Sequence, residues 1–136
     1  MLNPGDYSLC DLAITTALAS VAQSPIQSLE GILAATIEAK FSYGSGGTSA
    51  KAWVQVTLDD GQSWLDIACF AFTTASATKV INLSGLTPVT AAITPSDGAL
   101  SDNTAVDGLL GSAMRVKVAT VGTYSNTLLS VKVSVR

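Results

Sequence analysis

The chain contains no histidine. That removes Ser-His-Asp and Cys-His nucleophilic catalysis, histidine-ligated zinc and the commonest general base near neutral pH. Cysteine is scarce as well: Cys10 and Cys69 lie far apart, too few for a disulfide scaffold or a thiolate zinc site. Cys69 falls in the apolar run DIACFAF, where a free thiol behaves as a small buried hydrophobe. Charge is sparse, at 12% of residues against about 25% in soluble domains. The basic residues Lys40, Lys51, Lys79, Arg115, Lys117, Lys132 and Arg136 are scattered, with no basic–aromatic cluster to track phosphates, so nucleic acid is not expected as a partner. No apolar run approaches the ~20 residues of a membrane helix, so no membrane partner is expected either. The opening MLNPGDYSLCDLAITTALASVAQSP lacks a basic start, and Asp6 and Asp11 sit where a secretory leader carries positive charge. Cytoplasmic synthesis is the expectation.

What is present is apolar and small. The 136 residues, 48% of them hydrophobic, suit one domain with a real core and argue against disorder. With so little charge, solvent must meet Ser, Thr, Ala, Gly and Asn, or partners must cover much of the surface.

From residue 29 onward apolar residues recur at every second position, the period of a strand with one buried face. LAATIEAKFSY and KAWVQVTL alternate in this way. WLDIACFAF is apolar on nearly both faces, as expected of a central strand. AMRVKVATV and LLSVKVSVR, joined by the turn formers GTYSN, read as a β-hairpin. TKVINL and VTAAI read as weaker strands, and residues 94–111 as a long loop with room for a short helical turn. In residues 1–28, Ser8 and Asp11 resemble a helix capping box, yet AITTALASVA also suits a strand, which is the reading favoured. The expectation is therefore all-β: a single antiparallel β-sandwich or jelly-roll-like domain of seven to nine short strands. Residues 1–28 would form an N-terminal segment, either a contact arm or the first strand, and residues 29–136 the sandwich core with its long loop.

Thr57-Leu-Asp59-Asp-Gly61-Gln-Ser63-Trp64 resembles the Asp-box, the hairpin repeated around sialidase propellers. Its residues serve a turn: Asp59 accepts from backbone amides, Gly61 takes a positive φ and Trp64 packs beneath. The box implies no hydrolase, because the catalytic arginine cluster of those enzymes has no counterpart when only Arg115 and Arg136 are available. YGSGGTSAK lacks the Gly-Lys-Ser/Thr ending of a phosphate loop and reads as a flexible strand connection. Asp97, Asp102 and Asp107 along one loop, and Asp59, Asp60 and Asp66 around one hairpin, lack both calcium-loop spacing and any evident catalytic pairing. No catalytic residue, cofactor or metal site is expected.

The stretches EAKFSYGSGGTSAKAWVQVTLDDGQSW and LSGLTPVTAAITPSDGALSDNTAVDGLLGSAMRVKV, in a chain rich in Ala, Thr, Ser, Gly and Val, resemble the accessory virion proteins of tailed bacteriophages. That resemblance implies a non-enzymatic capsid cement or decoration protein, a structural protein on the virion exterior. It would bridge neighbouring capsomers, with the major capsid protein and copies of itself as partners. The N-terminal segment and the Thr94–Gly111 loop would then make contacts, with Leu100, Val106, Leu109 and Leu110 as interface candidates; alternatively those side chains seal one end of the sandwich. A head–tail or tail component shares the same texture. Another reading is a carbohydrate-binding or adhesive module, with Trp53, Trp64 and Tyr43 as a stacking platform.

Overall fold

The computed structural model describes residues 1–136 and is all-β. Its strands are β1 (Gly5–Ile14), β2 (Val21–Ala22), β3 (Ala34–Ser42), β4 (Ser45–Gly46), β5 (Ser49–Thr57), β6 (Leu65–Phe72), β7 (Ala77–Ser84), β8 (Ala113–Val121), β9 (Tyr124–Ser125) and β10 (Thr127–Val135). Two four-stranded antiparallel sheets, β1-β10-β3-β7 and β2-β8-β5-β6, enclose the core, and β4 and β9 form a small two-stranded patch at one end.

If the eight principal strands are numbered in chain order, setting aside β4 and β9, the first pairs with the eighth, the second with the seventh, the third with the sixth and the fourth with the fifth. This is a long hairpin rolled up on itself, the jelly roll. Alternation builds its core. In β3, Ala35, Ile37, Ala39 and Phe41 face inward, and opposite them in β10 stand Val135, Val133, Val131 and Leu129, all buried. The second sheet contributes Ala50, Ala52, Val54 and Val56 from β5, and Met114, Val116 and Val118 from β8.

Several expectations change. The run from residue 113 to 136 is not a hairpin: β8 lies in one sheet and β10 in the other. Local alternation specifies a strand but not which sheet receives it, and here Tyr124 decides. Its buried ring stands edge-on to Phe41 and Tyr43 at 5.5 and 6.0 Å, and its hydroxyl donates to the Thr73 carbonyl at 2.7 Å. The chain is thereby made to arch across the end of the sandwich. The glycine-rich stretch after β3 makes the neighbouring arch, and it is not a flexible connection. A Cβ on Gly47 would fall 2.4 Å from the Tyr124 ring, so glycine is what lets the two arches touch.

β6 is an edge strand, not a central one. Its apolar character has two causes. A bulge near Ile67 turns Ile67 and Ala68 both into buried positions, and the long loop lies against its free edge. Ala105 bridges to Ala68, Cys69 N–H donates to Thr104 O, and Val106 N–H donates to Ile67 O. The VTAAI segment is no strand: it lies between Pro88 and Pro95, exposed throughout, with no backbone hydrogen bond inside the chain. The loop of residues 94–111 contains no helical turn.

Residues 1–28 belong to the sandwich. β1 lines the edge of the first sheet along β10, burying Leu9, Cys10 and Ile14. Leu18 to Leu29 then follows β8, with hydrogen bonds at Leu18, Gln23, Ile26 and Leu29.

Candidate contact surface

Strand polarity separates the two ends of the molecule. At one end the connections 15–20, 43–48, 73–76 and 122–126 are short and closely packed. The other end gathers 23–33, the turn 58–64, the long loop 85–112 and both chain termini.

The turn 58–64 is the Asp-box-like element, and its geometry is closed. Thr57 Oγ1 donates to Asp59 Oδ1 at 2.9 Å and accepts the Gly61 N–H at 2.8 Å. Asp59 accepts the Ser63 N–H at 2.8 Å and its hydroxyl at 2.6 Å. These bonds from Ser63, with lesser help from Thr57 and Gln62, hold the Asp59 carboxyl below its ordinary range. Gly61 takes φ +87°, and Trp64 packs beneath the turn with the Arg115 guanidinium 4.3 Å from its ring centre. The side chains of Thr57, Asp59 and Ser63 are thus spent on the turn.

On the outer face of β5, β6 and β8 lies a polar network that the sequence did not announce. Gln55, Asp66, Arg115 and Lys117 project there, covered by the loop. Gln55 Nε2 donates to Asp66 at 2.8 Å and to Asp97 at 2.6 Å, while its Oε1 accepts Arg115 Nε at 2.9 Å. Lys117 Nζ reaches Asp97 at 2.8 Å. Asp66 also accepts the Ser96 hydroxyl and the successive N–H groups of Gly98, Ala99 and Leu100 at 2.8–3.1 Å. Burial pushes the Asp66 carboxyl up, but the bonds from Gln55, Gly98, Ala99 and Ser96 outweigh it and hold it below the ordinary value. Asp97 is lowered too, chiefly by Lys117. Neither carboxyl is raised as a general acid at neutral pH requires. The network fastens the loop to the sheet. The signal for it was a polar residue at an outward position in two neighbouring apolar strands, legible only once their register is known.

The residues singled out from the sequence fall in separate places. Leu109 and Leu110 are partly buried and pack against the core. Leu100 and Val106, partly exposed, are engaged through their backbones, Leu100 by accepting the Trp53 indole N–H at 3.1 Å. Trp53, Trp64 and Tyr43 share no face. Trp53 is buried under the loop, Trp64 lies at the long-loop end, and Tyr43 packs with Phe41 and Tyr124 at the opposite end. Asp59 and Asp66 are committed to the turn and the loop, and no group of His, Cys, Asp or Glu side chains converges on a metal position.

The surface that sequence reasoning missed is apolar. Ten large hydrophobic side chains are exposed, and six of them, Met1, Leu33, Leu58, Leu86, Val89 and Ile93, sit at the long-loop end. Leu58, Val89 and Ile93, with Leu65 and Leu109 behind them, line a shallow groove of about 310 Å³. Single exposed leucines are ordinary; a group of them gathered at one end marks a contact surface. Compared with protein-family models, with curated proteins and with solved structures, the chain matches none of them.

Proposed function

We propose that this chain is a non-enzymatic structural protein of a phage particle: a capsid cement or decoration protein, seated on the shell exterior and bridging neighbouring capsomers. The observation that carries the reading is the exposed apolar end of an otherwise closed, internally braced sandwich. Clamping needs a stiff body with one adhesive surface, and repetition over a symmetric shell turns a modest contact into firm attachment. The jelly roll is compatible with this role, as it is with lectins and cupins, so the fold alone does not choose. Sugar binding loses its support because the three aromatic side chains share no platform.

The test is the copy number of this chain in purified particles from its source, by quantitative mass spectrometry against the major shell protein. Near-equal copies are expected. A small fixed number would move the chain to a vertex, the head–tail junction or the tail, and absence would end the particle reading.

A further inference from the structure

The charges of this molecule are unevenly distributed, and the unevenness bears on what its apolar end meets. Asp6, Glu30, Asp59, Asp60 and Asp107 all lie exposed at the long-loop end, with Arg136 and Arg115, the latter stacked on Trp64, the two Lys or Arg residues there. Five acids against two bases give −3 at that end, while the other five acids and five bases cancel, so that end carries the chain's whole net charge of −3. None of these five acids forms an ion pair, since all three ion pairs of the molecule involve Glu38, Asp97 or Asp102. At the same end, residues 86–96 carry no charge at all, and no charged side chain lines the groove of Leu58, Val89 and Ile93. Between Pro88 and Pro95 the backbone has no hydrogen-bond partner in the chain. An apolar centre with a polar rim is the anatomy of a protein–protein contact, and the sign of the rim selects the partner.

Resting on the particle reading, we propose that this end docks on an apolar ridge of the shell protein flanked by lysine or arginine side chains, and not on a second copy of this chain. Two copies meeting through this end would bring two unpaired acidic rims together. A basic-flanked ridge neutralises the rim while it covers Val89, Ile93, Leu58 and Leu86, and its own backbone can pair with the unbonded run between the two prolines.

The experiment is co-sedimentation of the purified chain with empty shells of its source phage assembled without it, alongside sedimentation velocity of the chain alone. Expected results are shell binding that weakens as salt rises from about 50 to 500 mM, because the Debye length shortens across that range. Glu30→Gln with Asp60→Asn should weaken binding mainly at low salt. Val89→Ser with Ile93→Ser should weaken it about tenfold or more at every salt, as loss of a contact centre does. All four positions are exposed, and circular dichroism checks that each variant folds. Shell binding that neither pair of substitutions alters would overturn this surface while leaving the particle reading intact. No binding by the wild-type chain would remove the particle reading, and this proposal with it. A dimer dissolved by Val89→Ser with Ile93→Ser would make the occupant a second copy and overturn the partner named here.

Discussion

Asp66 holds the long loop through four donor groups, the Ser96 hydroxyl and three consecutive backbone N–H groups, and accepts a fifth bond from the Gln55 amide of β5. Asp66→Asn keeps the shape but loses the charge, and its amide nitrogen faces donors it cannot accept. The expected cost is about 3 kcal/mol in urea unfolding, with faster hydrogen exchange at Gly98–Leu100. The same carboxyl shapes the acid response. Its folded pKa is depressed, as are those of Asp97, Asp59 and Asp107, so the stabilisation is present above the unfolded value of about 3.9. It is lost as pH falls through the folded values. Stability should therefore be level between about pH 5 and 8 and drop below about 4, with a shallower acid limb in Asp66→Asn; an unchanged limb would sink this assignment. The cysteines act at the other extreme. Burial pushes both thiols up to about 11. The unfolded chain thus releases those protons first, and stability declines from about pH 9 to 11. At pH 8 neither native thiol should react with Ellman's reagent, whereas both should in denaturant.

At the scale of elements, the arches between the sheets are where small residues matter most. Gly47 has φ +67°, and a methyl group there would meet the Tyr124 ring. Gly47→Ala should cost at least about 2 kcal/mol and expose Tyr124, read by thermal unfolding and near-ultraviolet dichroism. Unaltered melting would mean that the arches are not held by this contact. The same elements show what the sequence discloses. Strands with unbroken alternation, β3, β8 and β10, were legible because one face of each is buried and the other wet. β1 was legible only as the favoured of two readings, because the bulge at Leu9 joins two out-of-phase halves and buries Leu9 and Cys10 side by side, which imitates a helical face. The Asp-box-like turn was legible because its bonds are all local. The arch through Tyr124, the cover over β6 and the Gln55–Asp66 pair were not, because each depends on contacts between residues distant in the chain. The adhesive end was hidden for the same reason: Leu33, Leu58, Leu86 and Val89 come from three separate connections.

For the whole molecule, the decisive property is that its sheet edges are closed while one end keeps its apolar side chains exposed. The edge at β1 carries a bulge and two aspartates, Asp6 and Asp11. At the edge β7, Lys79 turns inward to bond Ala71 O at 2.5 Å and Asn103 Oδ1 at 2.9 Å. Pro25 interrupts the irregular run beside β8, and the long loop covers β6. Each is a device that prevents edge-to-edge association. Any partner is thereby directed to the ends, and the tightly packed arch end leaves the long-loop end as the place to bind. The cover on β6 is the device most easily removed. Replacing Asp97–Ala105 with an equally long Gly/Ser segment keeps the connection but removes the Asp97, Asp102 and Asn103 side chains that anchor it and leaves its backbone bonds without a preset conformation to make them. That variant should unveil Trp53, buried in the wild type, and shift tryptophan emission to the red. It should also free the β6 edge to pair with other chains, so that light scattering detects larger species than the wild-type chain gives. A variant that stays monodisperse with unshifted emission would show that the loop does not guard this edge, and the argument for contact through one end would lose one of its supports.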